Sequence, residues 1–115
     1  MNQCNRLSSA KAVIKGDDEY ARIRGEVLFR RVKDGVLVTA KISGLPKSES
    51  GFYGFHIHEG KSCKGDGFPK TKGHYNPKDR PHPSHAGDLP PLLSCKGTAY
   101  MQVKTDRFRI CDLIG

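Results

Sequence analysis

Residues 23–42 read IRGEVLFRRVKDGVLVTAKI. In the second half of this stretch Val36, Val38, Ala40 and Ile42 alternate with Leu37, Thr39 and Lys41, and β-branched residues dominate. A period of two places the first set on one face of a pleated strand and the second on the other, so 35–43 is expected to be a strand. In the first half Ile23, Val27 and Phe29 share one parity between Arg22, Arg24, Glu26 and Arg30. That pattern extends a strand over 20–32, with Gly25 as the point where it bends or bulges. Lys33-Asp34-Gly35 between the two runs is a hairpin turn signal.

Further strands flank this hairpin. Ala10, Ala12 and Ile14 form a short alternating run closed by Gly16-Asp17-Asp18, and Gly51–Glu59 reads as another strand. Residues 97–104 follow through Ala99, Met101 and Val103, and 107–111 close the series with Phe108 and Ile110. No segment sustains a helical period. Six strands joined by short turns predict an all-β sandwich or barrel. The length of 115 residues suits one domain over 1–115.

Composition excludes several functions. No stretch approaches the ~18 consecutive apolar residues of a membrane-spanning helix. Met1–Arg6 carries no apolar core of a signal peptide, so a soluble protein without a membrane partner is expected and its compartment is left open. The net charge of +8 comes from 20 basic and 12 acidic side chains. Ten basic and six acidic residues lie in 1–55 and the same numbers in 56–115, so there is no basic tail. Without a basic block, aromatic interleaving or a known module, no nucleic-acid partner is expected. None of the four cysteines forms a C-x-x-C pair, which argues against a zinc ribbon or a thioredoxin motif. Their pairing is open, and Cys111, among apolar neighbours, is expected to be a buried free thiol.

Residues 59–94 break the strand pattern, with five glycines and six prolines. A long irregular loop inside a domain is functional or disordered, and the histidines argue for function. All five lie between positions 56 and 85. In Phe55-His56-Ile57-His58 strand alternation puts both imidazoles on one face, where they can chelate one ion. His74, His82, His85 and Asp88 follow, offering nitrogen and oxygen ligands of the types that suit tetrahedral zinc; copper also takes imidazole.

Gly54-Phe55-His56-Ile57-His58-Glu59, Gly73-His74-Tyr75-Asn76-Pro77 and His85-Ala86-Gly87-Asp88-Leu89-Pro90, in this order, resemble the copper,zinc superoxide dismutase family. The resemblance runs from about Ala10 to the end of the chain. It implies an eight-stranded Greek-key β-barrel, of which about six strands are present here with a long metal-binding loop. It implies copper on His56, His58 and His74. It also implies zinc on His74, His82, His85 and Asp88, with His74 as the bridging, catalytic imidazolate. The implied substrate is superoxide, disproportionated to dioxygen and hydrogen peroxide. Cys63 matches the family's loop cysteine, whose usual partner lies near the C-terminus.

The sequence departs from the family at Asp112-Leu113-Ile114-Gly115, where the family continues into a strand bearing a fourth copper histidine. These residues contain no sixth histidine. The expectations are therefore weaker copper binding than zinc binding, and exposed sheet edges that favour a homo-oligomer. The alternative reading is a non-catalytic relative that holds zinc and copper without turnover.

Overall fold

The computed structural model describes residues 7–60, 62–65 and 67–114. Six strands run in chain order: β1 (Ser9–Lys15), β2 (Arg24–Val32), β3 (Gly35–Ser43), β4 (Phe52–His56), β5 (Asp88–Leu93) and β6 (Ala99–Thr105). All pairings are antiparallel. They make one four-stranded sheet, in the order β1-β2-β3-β6, and one two-stranded sheet of β4 and β5. The two sheets do not close into a barrel. Among the described residues no helix is long and apolar enough to cross a membrane.

The β2–β3 hairpin is the spine of the larger sheet. Its register pairs Val27 with Ala40, Phe29 with Val38 and Val32 with Gly35. The loop is therefore Lys33-Asp34, with Asp34 at a positive φ of 65°. The inward parity is Val27, Phe29, Val36, Val38, Ala40 and Ile42, all buried. Burying each valine or phenylalanine here contributes ~1.5–3 kcal/mol, before the entropy of ordering it. Strand β2 starts at Arg24, later than alternation suggests, because the chain before it is turned back. Tyr20 N–H donates to Asp17 O and Gly16 N–H to Ile23 O. Gly25 does not bulge; it pairs in continuous register with Ile42. A Cβ there would lie 2.1 Å from the Lys41 carbonyl oxygen, so glycine lets the two strands approach.

Further expectations are corrected. Residues 88–93 form β5, although they carry Pro90 and Pro91. Two steps along β4, from Tyr53 to Phe55, span three along β5, from Leu92 to Leu89. The prolines sit in that irregularity, where a missing N–H costs no ladder bond, while Leu89 and Leu92 enter the core. Residues 107–111 are not a strand. Arg109 is extended, but its N–H donates to the Asp112 carboxylate at 2.8 Å, which opens a 3₁₀ turn over Ile110–Leu113. Phe108 and Ile110 are nonetheless buried, and Phe108 meets Phe29 edge-on with ring centroids 6.2 Å apart. Finally, Cys111 is disulfide-bonded rather than free. Cys63, matched by resemblance to a bonded cysteine, is an exposed free thiol, as is Cys95.

Candidate metal centre

The smaller sheet and the loop that joins its two strands bring the histidines together through the backbone. Pairing of β4 with β5 sets His56 opposite Asp88. Two residues on, His58 and His74 face each other in an isolated antiparallel bridge. Between these points three segments close a ring. Ile57 N–H donates to Gly87 O at 2.8 Å, Gly87 N–H to Tyr75 O at 2.8 Å, and Tyr75 N–H to Ile57 O at 2.7 Å. Each member adjoins a candidate ligand: His56 and His58, His74, and Asp88. The ring needs glycine at 87, where a Cβ would stand 2.4 Å from the Ile57 carbonyl oxygen and 3.0 Å from Tyr75 Cβ.

Asp88 is the centre of the side-chain cluster and the one charged residue buried among the described residues. Its Oδ1 lies 3.0 Å from His74 Nδ1, and its Oδ2 lies 3.2 Å from both His82 Nδ1 and His85 Nδ1. His74 Nδ1 is 3.3 Å from His85 Nδ1. Burial pushes the Asp88 carboxyl upward. The His85 N–H on Oδ2, the charges of His85 and His82 and the His74 contact outweigh it and hold Asp88 below its ordinary value.

One ligand atom from each of His74, His82, His85 and Asp88 lies within 4.8 Å of all the others. Tetrahedral zinc with bonds near 2.0–2.1 Å has ligand atoms about 3.3 Å apart. The contacts of 3.0–3.3 Å in the cluster match that spacing. Three nitrogens and one carboxylate oxygen fit zinc in type and number, and all lie within 4.8 Å of one another. His82 is the exposed member, with 60% of its side chain accessible, against 26% for His74 and 19% for His85.

His56 and His58 flank this cluster. The His56 ring stacks on His74 with centroids 3.8 Å apart, and His58 meets His74 edge-on at 5.3 Å. His56 and His58 are 6.5 Å apart. Neither joins the four-residue set; His74 meets both of them, and His82 meets His56 with centroids 6.1 Å apart. His58 Nδ1 lies 2.9 Å from the Lys72 carbonyl oxygen. A carbonyl only accepts, so Nδ1 carries the proton and Nε2 is left with its lone pair for a ligand. Burial, then the neighbouring His74, holds the His56 pKa below its ordinary 6.5, which favours the neutral, metal-binding form. An open cleft of about 640 Å³ reaches the site past His56, His82, Pro83 and Arg107.

Sequence patterning located every side chain of this cluster. It missed the backbone ring and Arg107, which donates to two carbonyls of the metal loop. Gly87 carried the ring's one visible signal, a glycine beside a candidate ligand, while an isolated arginine carries none.

Comparison with known proteins adds an independent line. The family model described as "Copper/zinc superoxide dismutase (SODC)" matches residues 23–115. The chain is 34% identical over 101 residues to "Superoxide dismutase [Cu-Zn] 2" of Aquifex aeolicus (strain VF5), covering 78% of this chain and 58% of the relative. It is 39% identical over 90 residues to "Superoxide dismutase [Cu-Zn]" of Ramazzottius varieornatus, covering 70% and 45%. Against "Extracellular superoxide dismutase [Cu-Zn]" of Mus musculus it is 37% identical over 74 residues, covering 62% and 29%. The chain thus spans about half the length of the first two relatives.

Proposed function

The chain belongs to the copper/zinc superoxide dismutase family, and from that membership we propose that it serves the disproportionation of superoxide. His74, His82, His85 and Asp88 would hold zinc, and His56, His58 and His74 would face copper. Copper bound there would supply the one-electron exchange that turns two superoxide anions and two protons into dioxygen and hydrogen peroxide, with zinc adding a fixed positive charge. The observation that carries the reading is the double engagement of His74. Its Nδ1 turns toward Asp88 and His85 at 3.0 and 3.3 Å, while its ring lies against His56 and His58. Nε2 is then the atom at which His74 would hold and release a proton on the copper side. His58 is fixed in one tautomer by Lys72 O, and Asp88 orients three imidazoles at once.

A second reading, metal binding without turnover, is favoured by one observation. The 115 residues contain five histidines, and the proposed assignment gives copper three of them, His56, His58 and the shared His74. Cupric copper prefers a tetragonal set, so three imidazoles alone hold it weakly. Superoxide decay with the copper- and zinc-loaded chain separates the two. Turnover abolished by His56→Ala and by His58→Ala supports dismutation, whereas bound metal without turnover supports the second reading.

The proposal includes self-association. Among the described residues β4 has a strand neighbour on one side only, and at its start Phe52 pairs with Leu93, both exposed. Unpaired strand edges template pairing with another chain. Light scattering should give a mass above the 12.7 kDa of one chain, and a monomer at all concentrations would contradict this.

A further inference from the structure

Residues 77–84, which include the zinc candidate His82, are all exposed, so no apolar contact in the core fixes them. Most of their hydrogen bonds are local: Asn76 Nδ2–H to Arg80 O, Arg80 N–H to Asn76 Oδ1, and Ser84 N–H to Pro81 O. Among the described residues two side-chain contacts tie the stretch to elements outside the loop: His82 Nδ1 lies 3.2 Å from Asp88 Oδ2 at the start of β5, and an arginine beyond β6 holds the backbone. Arg107 Nη1 donates to Pro83 O at 2.9 Å and, from the same nitrogen, to His85 O at 3.3 Å.

These two carbonyls lie on either side of Ser84, in the stretch that carries the zinc candidates His82 and His85. The arginine itself stands on a fixed base. Its N–H donates to Thr105 Oγ1 at the end of β6, and the next residue, Phe108, is buried against Phe29. A planar guanidinium presents its donors in a rigid fork, which a lysine ammonium does not.

We propose that Arg107 is a positioning residue for the four-ligand site: it fastens the backbone at Pro83 and His85 to the larger sheet and so sets where the His82 and His85 imidazoles stand. This rests on the zinc reading of His74, His82, His85 and Asp88. Groups that orient metal ligands typically contribute ~10–100-fold to metal affinity. The sign separates positioning from charge. Removing a positive charge near a cation site tightens binding electrostatically, whereas removing a clamp loosens it.

The test is zinc affinity of the full chain, measured by competition with a chromogenic chelator, for the parent, Arg107→Gln, Arg107→Lys and Lys104→Gln. Lys104, exposed on β6 three residues away, is the charge control. Arg107→Gln should bind zinc at least ~10-fold more weakly, Arg107→Lys should fall between it and the parent, and Lys104→Gln should bind as well as the parent or better. The metal-free melting temperature of Arg107→Gln should stay at the parent's, and cobalt bound in its place should lose the parent's tetrahedral absorption. Unchanged zinc affinity in Arg107→Gln overturns the proposal, as does an equal loss in Lys104→Gln or a matching fall in metal-free stability. A parent that binds no zinc overturns the zinc reading itself, and this proposal with it.

Discussion

At the scale of single residues the site depends on what Asp88 and Gly87 do at neighbouring positions. Asp88 is a buried carboxylate that meets three imidazoles and one backbone N–H. Gly87 carries no side chain, and the space left is filled by the Ile57 carbonyl and the Tyr75 Cβ. Gly87→Ala should open the three-segment ring, destabilise the metal-free protein by ~1–3 kcal/mol and weaken zinc binding together. Chemical denaturation and zinc competition on one variant check both, and an alanine protein with parental stability and affinity would contradict the role given to the ring. The pH response follows from two downward shifts. Both His56 and Asp88 have folded-state values below their ordinary 6.5 and 3.8. The stability contributed by each is complete above the ordinary value and is lost as pH falls through the lower folded value. The denaturation midpoint of the metal-free protein should therefore fall on acidification below 6.5 and again below 3.8. His56→Gln should remove the first fall, and a midpoint that rises on acidification would contradict the signs.

At the scale of elements, chemistry was easier to read than backbone conformation. The strands of the larger sheet were legible because alternation of Val27, Phe29, Val36, Val38 and Ala40 matches burial on one face. The candidate ligands stood out because all five histidines lie between positions 56 and 85. Strand β5 was hidden by Pro90 and Pro91, which the pairing irregularity opposite Gly54 tolerates. The apolar pair Phe108 and Ile110 fits a strand equally well as an extended residue leading into a 3₁₀ turn. What decided between them was the Asp112 carboxylate taking the Arg109 N–H, a contact with no period. The ring of Ile57, Tyr75 and Gly87 joins backbone to backbone and Arg107 joins a side chain to backbone across distant segments, and neither leaves a pattern in composition. Because Phe108 plugs the core without belonging to a sheet, Phe108→Ala should cost ~3–5 kcal/mol, as a buried aromatic truncation does. A loss below about 1 kcal/mol, measured by urea unfolding, would show that the 3₁₀ segment is not part of the core.

At the scale of the whole molecule the two sheets and the long loop have different sources of order. The four-stranded sheet is held by its apolar face and a continuous ladder. Residues 77–84 are all exposed, and their contacts with the rest of the fold include the Arg107 hydrogen bond and the approach of His82 to Asp88. Metal binding to such a loop contributes directly to folding free energy. The proposed function requires that His74, His82, His85 and Asp88 share a single zinc ion. X-ray absorption at the zinc edge of the zinc-loaded chain tests it most directly. The account predicts one zinc per chain, with three imidazole nitrogens and one oxygen at about 2.0–2.1 Å, and loss of that shell in Asp88→Ala. Sulfur scattering near 2.3 Å, which would place zinc on the free thiols of Cys63 or Cys95, or an unchanged shell in Asp88→Ala, would contradict it.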